Sequence, residues 1–310
     1  MRTLRFHEYG SPLEVVRLDD AEIPEPGPGR VRIVVEACGL NPADWALCTG
    51  LFAGDLPRGI GLEVSGIVDA IGPGVTGVEI GDAVLGPAPF RGPTAGASDR
   101  AVLERWFPRP PGLEPVAAAA LPMAVETAHH ALAGLGVPAR ADGSTVLVHG
   151  AGTTVGYAAV QMVLRRGARV VATAGKTYTD ALRAMGALVT EYGDGMAERV
   201  RELAGGDVDL ALDTAPPGTA LPEVVRTVAE PRNVLTITDF AAARELGVRL
   251  QFDENAPQDG NHVLGEYARL AAAGEFEVPI ARVFPLADWR AAAELGLSGH
   301  ARGKLVLRLA

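Results

Sequence analysis

The sequence predicts an α/β chain in two parts, a β-rich part followed by a doubly wound parallel sheet. Two observations predict it. Up to about residue 115, short apolar runs alternate with clusters of Gly and Pro, the pattern of short strands joined by frequent turns. Beyond Pro115 the composition turns alanine-rich. Strand-like runs then alternate with helix-like runs, which implies parallel strands covered by helices on both faces.

In the first part, Val31-Arg-Ile-Val-Val-Glu-Ala37, Val64-Ser-Gly-Ile-Val-Asp-Ala-Ile71 and Ala83-Val-Leu85 read as strands of a barrel-like or sandwich-like domain. Turn residues punctuate them at 24–28, 72–77 and 86–96. Residues 116–121 and 123–134 read as alanine-rich helices. Strands are then expected over 144–149, 168–174, 187–190, 207–213 and 232–238, with helices over 154–166, 178–185, 195–204 and 219–229. After 239 the pattern loosens to a helix at 263–273, a strand at 278–284, a helix at 287–297 and a closing strand at 304–309.

Composition narrows the function. The chain has 310 residues, more than one typical domain, and its 48% hydrophobic and 21% charged residues are ordinary for a globular protein with a sizeable core. A net charge of −10 argues against nucleic acid or an anionic membrane as partner. Cys38 and Cys48 form neither a CxxC pair nor a disulfide framework. The sequence opens without a secretory signal, and no apolar run approaches the ~20 residues needed to span a bilayer. A soluble, cytoplasmic protein is expected.

The most telling stretch is Ser144-Thr-Val-Leu-Val-His149-Gly-Ala-Gly-Thr-Thr-Val-Gly156. A β-branched run meets a glycine-rich turn, a small-residue helix follows, and a second apolar run ends at Thr173. Strand, tight turn, helix and strand make the βαβ unit that holds a dinucleotide pyrophosphate at a helix N-terminus.

Four further stretches resemble the medium-chain dehydrogenase/reductase superfamily, in its zinc-independent quinone oxidoreductase-like branch. Gly39-Leu-Asn-Pro-Ala-Asp44 is similar to the family's G-x-N-P-x-D. Residues 72–84 resemble its G-x-G-V-x-x-F-x-x-G-D-x-V, residues 121–128 its L-P-x-x-x-x-T-A, and residues 299–307 its G-H-x-x-G-K-x-V-L. The resemblance covers nearly the whole chain. It implies a GroES-like β-rich substrate domain over 1–122, a Rossmann NADPH-binding domain over 123–258, and a segment over 259–310 that returns to the substrate domain. It also implies a homodimer through the edge strand of the cofactor sheet, here Val234 to Thr238.

Zinc dehydrogenases of the superfamily carry Cys where this chain has Asn41, and Gly-His-Glu where it has Gly61-Leu62-Glu63. Leu62 has no ligating atom, and the structural-zinc lobe of four cysteines is missing. No metal is expected. In the turn, the family's A-x-G-G-x-G becomes Ala151-Gly152-Thr153-Thr154-Val155-Gly156, with Thr153 at the middle glycine and threonine hydroxyls as candidate phosphate donors. The second strand runs into Thr173-Ala174-Gly175-Lys176 with no acid to hold a ribose hydroxyl. Lys176 therefore favours NADPH over NADH, because a cation hydrogen-bonds a 2′-phosphate strongly, and by resemblance Tyr192 packs near that phosphate. By resemblance, Thr127, Asp213-Thr214-Ala215 and Thr238 complete the cofactor site.

No nucleophile triad, carboxylate pair or metal cluster is visible, so the cofactor is expected to carry the chemistry. Asn41, Asp44 and Trp45 are the candidate catalytic residues, with Asn41 a donor to the substrate oxygen; the tyrosine that many relatives place just after the Asp44 position is absent. The expected function is reduction of a quinone or other conjugated carbonyl, a small-molecule substrate. An enoyl-thioester reductase with an acyl channel near 240–260, and a catalytically idle NADPH-binding protein, remain alternatives.

Overall fold

The computed structural model describes residues 1–218, 220–251 and 263–309. Its backbone divides into two compact units, Met1–Met123 with Leu264–Ala310, and Ala124–Val263. The domain boundary expected at 258/259, the part of the 240–260 segment beyond Gln251, and His262 lie outside the described residues. Among the described residues no helix is long and apolar enough to cross a membrane.

The first unit is built on one mixed sheet in the order Ile280–Pro285, Lys304–Arg308, Val31–Leu40, Glu63–Ile71, Ala83–Pro87, Phe107–Pro108, with Arg100–Leu103 also paired to Val31–Leu40. The Val31–Leu40 strand alternates buried and half-buried residues up to Ala37 and is then buried without a break, so both of its faces are covered where it ends. Leu4, Phe6, Val16, Ile33, Leu103 and Leu307 sit at the centre of this core, and burying each contributes about 1.5–3 kcal/mol. A small second sheet, Val16–Asp20, Arg2–Phe6 and Arg58–Gly59, has no counterpart in the sequence reading. The 287–297 expectation resolves into a 3-10 turn, Leu286–Asp288, and a helix, Trp289–Leu297.

The second unit is a parallel sheet in the order Leu188–Thr190, Arg169–Thr173, Thr145–His149, Leu210–Asp213, Val234–Thr236, Arg249–Leu250. The central strand, Thr145–His149, is buried at all five positions, as helices on both faces require. The order reverses between Arg169–Thr173 and Leu210–Asp213, the two neighbours of Thr145–His149, which makes the end of that strand the topological switch point where open α/β sheets bind ligands. One expectation is corrected here. Val234–Thr236 is not an edge strand, because Leu210–Asp213 flanks it on one side and Arg249–Leu250 on the other. The helix Phe240–Leu246 returns the chain to that added strand.

Candidate active site

In the first unit, the sheet register assembles a buried polar cluster. Gly39 pairs with Glu63, and Leu40 pairs with Leu305. Asn41 follows Leu40 and caps the helix Pro42–Cys48, whose first turn is started by Pro42 with its preset φ. Three strand ends thus bring Asn41, Glu63 and Lys304 together, at 8%, 0% and 2% exposure. Lys304 Nζ donates to Asn41 Oδ1 at 2.6 Å and to Glu63 Oε1. Asn41 Nδ2 donates to Glu63 Oε1 at 2.8 Å, and the Met123 N–H donates to Glu63 Oε2 at 2.8 Å. Gly39 must be glycine here, since a Cβ would stand 2.5 Å from both Glu63 Oε1 and the Ala119 carbonyl oxygen.

Asp44 is fully buried and accepts the Asn41 N–H on Oδ2 and the Gly61 N–H on Oδ1, each at 2.7 Å. Burial pushes its carboxyl up to about 7, although the two N–H bonds favour the charged form. Trp45 is packed in the hydrophobic core, with its indole nitrogen 2.8 Å from where a Cβ on Gly296 would lie. Asp44 and Trp45, expected beside the reacting groups, are thus spent on the scaffold: one ties the helix start to Gly61, the other fills the core. Asn41 keeps an unspent donor within this polar cluster, its second Nδ2 hydrogen.

In the second unit, the glycine-rich turn leads into the helix Thr154–Arg165. Gly150 takes φ +76° and lies too close to Ala215 for a side chain, and a Cβ on Gly156 would meet the Gly150 carbonyl oxygen at 2.4 Å. Ala151 is buried behind the turn, and Gly152 is half-buried in front of it. Thr154 and Val155 occupy the first two helical positions, whose N–H groups have no partner within the helix. The Thr153 hydroxyl accepts the Gly156 N–H at 3.0 Å and donates to Thr214 Oγ1 at 3.1 Å. It is therefore a helix cap and not the free phosphate donor expected of it. The Thr154 hydroxyl makes no bond among the described residues and remains available.

Behind the turn, His149 Nδ1 lies 2.6 Å from Thr173 Oγ1, which also accepts the Gly150 N–H at 3.2 Å. Burial holds the imidazole down at about 4, so it is neutral at pH 7 and shares one hydrogen with the Thr173 hydroxyl through Nδ1. At the neighbouring strand ends, Asp213 accepts the Ala215 N–H at 3.1 Å and the Thr236 hydroxyl at 2.7 Å. Burial raises its carboxyl to about 6. Thr238 Oγ1 donates to the Ala215 carbonyl oxygen at 2.6 Å, which knits the two turns together. Thr127 is half-buried on the helix Leu121–Leu135, and its carbonyl oxygen accepts from Gln251 Nε2 at 3.3 Å.

Beyond Arg169–Thr173, an open pocket of about 290 Å³ is lined by Lys176, Thr179, Asp180, Arg183, Thr190 and Glu191, together with Val189. Lys176 is exposed and has no ion-pair partner among the described residues, whereas Arg183 stands 3.9 Å from Asp180. Ala174 is buried at the strand end. Tyr192 is 62% exposed, and its hydroxyl lies 3.6 Å from the position a Cβ on Gly175 would take. Arg183 and Thr179 escaped the sequence reading because both look like solvated residues on the outer face of a short helix, Thr179–Ala184. Lys304 was read only as part of a motif, since its partners stand 263 and 241 positions away in the chain.

A family model described as an alcohol dehydrogenase GroES-like domain matches residues 27–102, and one described as a zinc-binding dehydrogenase matches residues 185–307. Among curated proteins, the chain is 35% identical over 292 residues to the erythronolide synthase EryA2 of Saccharopolyspora erythraea, covering 90% of this chain and 8% of that protein. Among solved structures it resembles the quinone oxidoreductase from Coxiella burnetii, at TM-score 0.83 and 26% identity over 100% of this chain and 99% of that one. It also resembles mycobacterial Rv1454c complexed with NADPH, at TM-score 0.81 and 25% identity over 100% of both chains.

The zinc named in the second family description does not fit the residues present. Among the described residues no three His, Cys, Asp or Glu side chains converge on a metal-sized site. The Asn41 and Glu63 oxygens face the Lys304 ammonium instead. Burial also pushes the nearby Cys38 thiol well up, away from the thiolate a metal needs. A dinucleotide does fit. The 150–156 turn is tight, two helix-start N–H groups are free of helical partners, and beyond the next strand lies a pocket that carries Lys176 and Arg183 beside Asp180 and Glu191.

Proposed function

Because this chain belongs to the medium-chain dehydrogenase/reductase superfamily, a family of oxidoreductases, we propose that it is an NADPH-dependent, zinc-independent reductase of quinones or other conjugated carbonyls. The observation that carries the reading is the Asn41 amide, a neutral N–H donor held in a buried cluster by Glu63 and Lys304, with the Asp44 carboxyl taken up by two backbone N–H groups. A conjugated acceptor is already electrophilic and needs only such a donor, whereas a simple ketone needs a Lewis acid or a strong proton donor.

When bound, NADPH supplies a hydride, and the acceptor takes that electron pair and one proton from solvent to become a hydroquinone or a saturated carbonyl. The chain's own residues bind and orient. The Thr154 and Val155 N–H groups would hold the pyrophosphate at the helix start. Lys176 and Arg183 would meet the 2′-phosphate, with Tyr192 packed beside it. Thr127, the 213–215 turn and Thr238 hold the nicotinamide end. Asn41 donates to the acceptor oxygen.

The likeness to the erythronolide synthase over 90% of the chain favours one second reading, an enoyl-thioester reductase. A panel of acceptors decides between them. The expected outcome is oxidation of NADPH by phenanthrenequinone and by a simple enone, with kcat/KM at least about 10-fold above that for crotonyl thioester or a saturated ketone. Reduction of the crotonyl thioester alone would establish the second reading. NADPH binding with no turnover on any acceptor would leave an idle binder and contradict both.

A further inference from the structure

We propose that Lys304 is a positioning residue that sets the orientation of the Asn41 amide, so that the amide presents an N–H, and never its carbonyl oxygen, to the acceptor. The inference rests on the reading above in which Asn41 meets the acceptor oxygen. An amide side chain can turn over, exchanging Oδ1 and Nδ2, at little cost in most surroundings. Here the two flanking groups carry opposite charge. Oδ1 faces the Lys304 ammonium at 2.6 Å and Nδ2 faces the Glu63 carboxylate at 2.8 Å. Turned over, the amino group would meet the ammonium and the carbonyl would meet the carboxylate. Both charge-assisted bonds would become repulsions.

Nothing else in the cluster can relieve that mismatch. Glu63 and Lys304 are buried, so water cannot substitute for either partner. Glu63 is immobilised through its other oxygen by the Met123 N–H. Two other titratable groups face the cluster, Asp44 and Cys38. Asp44 has both oxygens on backbone N–H groups, and the Cys38 thiol donates to the Gly39 carbonyl oxygen at 3.5 Å. One Nδ2 hydrogen is spent on Glu63, and the second has no partner among the described residues. The ammonium therefore acts through Asn41: it consumes the amide's only acceptor and leaves a donor.

A double-mutant cycle tests this in the full-length protein. Lys304→Met keeps the stem and removes the charge. The expected result is a fall in kcat for phenanthrenequinone of about 10-fold or more with the KM for NADPH unchanged, and recovery in Lys304→Arg to within about 3-fold. On an Asn41→Ala background, Lys304→Met is expected to cost almost nothing more, because the residue it acts through is gone. Losses that multiply in the double variant, or a kcat that Lys304→Met leaves unchanged, would overturn the proposal. Should Lys304→Met fail to fold, side-chain amide hydrogen exchange in the wild-type protein decides it. One protected and one fast-exchanging Asn41 proton are expected, and two fast-exchanging protons would overturn it. A wild type that reduces no acceptor would end the functional reading, while the exchange measurement would still decide this inference.

Discussion

Thr153 stands where the family turn carries its middle glycine, and its hydroxyl caps the helix by accepting the Gly156 N–H. The cap stabilises the helix start but takes up a donor, and its Cβ keeps a phosphate farther from the backbone. Thr153→Gly should therefore separate two effects. Unfolding should become easier by about 1 kcal/mol, through loss of the cap and of the bond to Thr214. NADPH should bind about 3-fold tighter in a calorimetric titration. Weaker binding in that variant would mean that the Thr153 hydroxyl itself serves the phosphate. The residue change was plain in the sequence, but the direction of its hydroxyl was not, because the alternative partners, Gly156 N–H and Thr214, are fixed only by the folded turn. Likewise the G-x-N-P-x-D stretch pointed at Asn41, Asp44 and Trp45 together, and only burial and hydrogen bonding separate a candidate donor from two scaffold residues.

At the scale of elements, the strand Thr145–His149 and its turn were legible because a five-residue run rich in β-branched residues, three glycines and a small-residue helix agree with one another. The strand Arg249–Leu250 was not legible. Two residues carry no periodicity, and the helix before it is seven residues long. Missing it turned an interior strand into an apparent edge. The small sheet in the first unit escaped for a related reason: Val16–Asp20 buries only Val16, and Arg58–Gly59 is two residues long. The central strand also carries a prediction of its own. His149 is held at about 4 when folded, against ~6.5 for a free imidazole. Between these values the unfolded chain binds the proton first, so this residue's contribution to stability is full above about 6.5 and is lost as pH falls toward 4. The loss amounts to roughly 3 kcal/mol. Asp44 and Asp213 are raised and act with the opposite sign, favouring the folded state as pH falls. The comparison that isolates His149 is therefore wild type against His149→Asn, by chemical denaturation at several pH values. The wild type should lose stability relative to the variant as pH falls through that window. Parallel curves would show that the imidazole can take up its proton within the fold.

At the scale of the molecule, the proposed function asks a chain with a net charge of −10 to bind an anionic cofactor. Attraction must come from placement: free N–H groups at a helix start and the Lys176 and Arg183 side chains beyond the second strand. The two-part architecture was legible because the composition changes at Pro115, shortly before the units divide after Met123, and four family motifs stand in order along the chain. The polar cluster of Asn41, Glu63 and Lys304 was not, because sheet register alone brings together residues so far apart in the chain. The central claim is hydride transfer from NADPH to a conjugated carbonyl, and the most direct measurement is loss of NADPH absorbance with phenanthrenequinone, run beside NADH and a blank without protein. The account predicts turnover with kcat/KM for NADPH at least about 10-fold above NADH, and loss of that preference in Lys176→Ala. Equal use of NADH, or tight NADPH binding with no turnover, would contradict it.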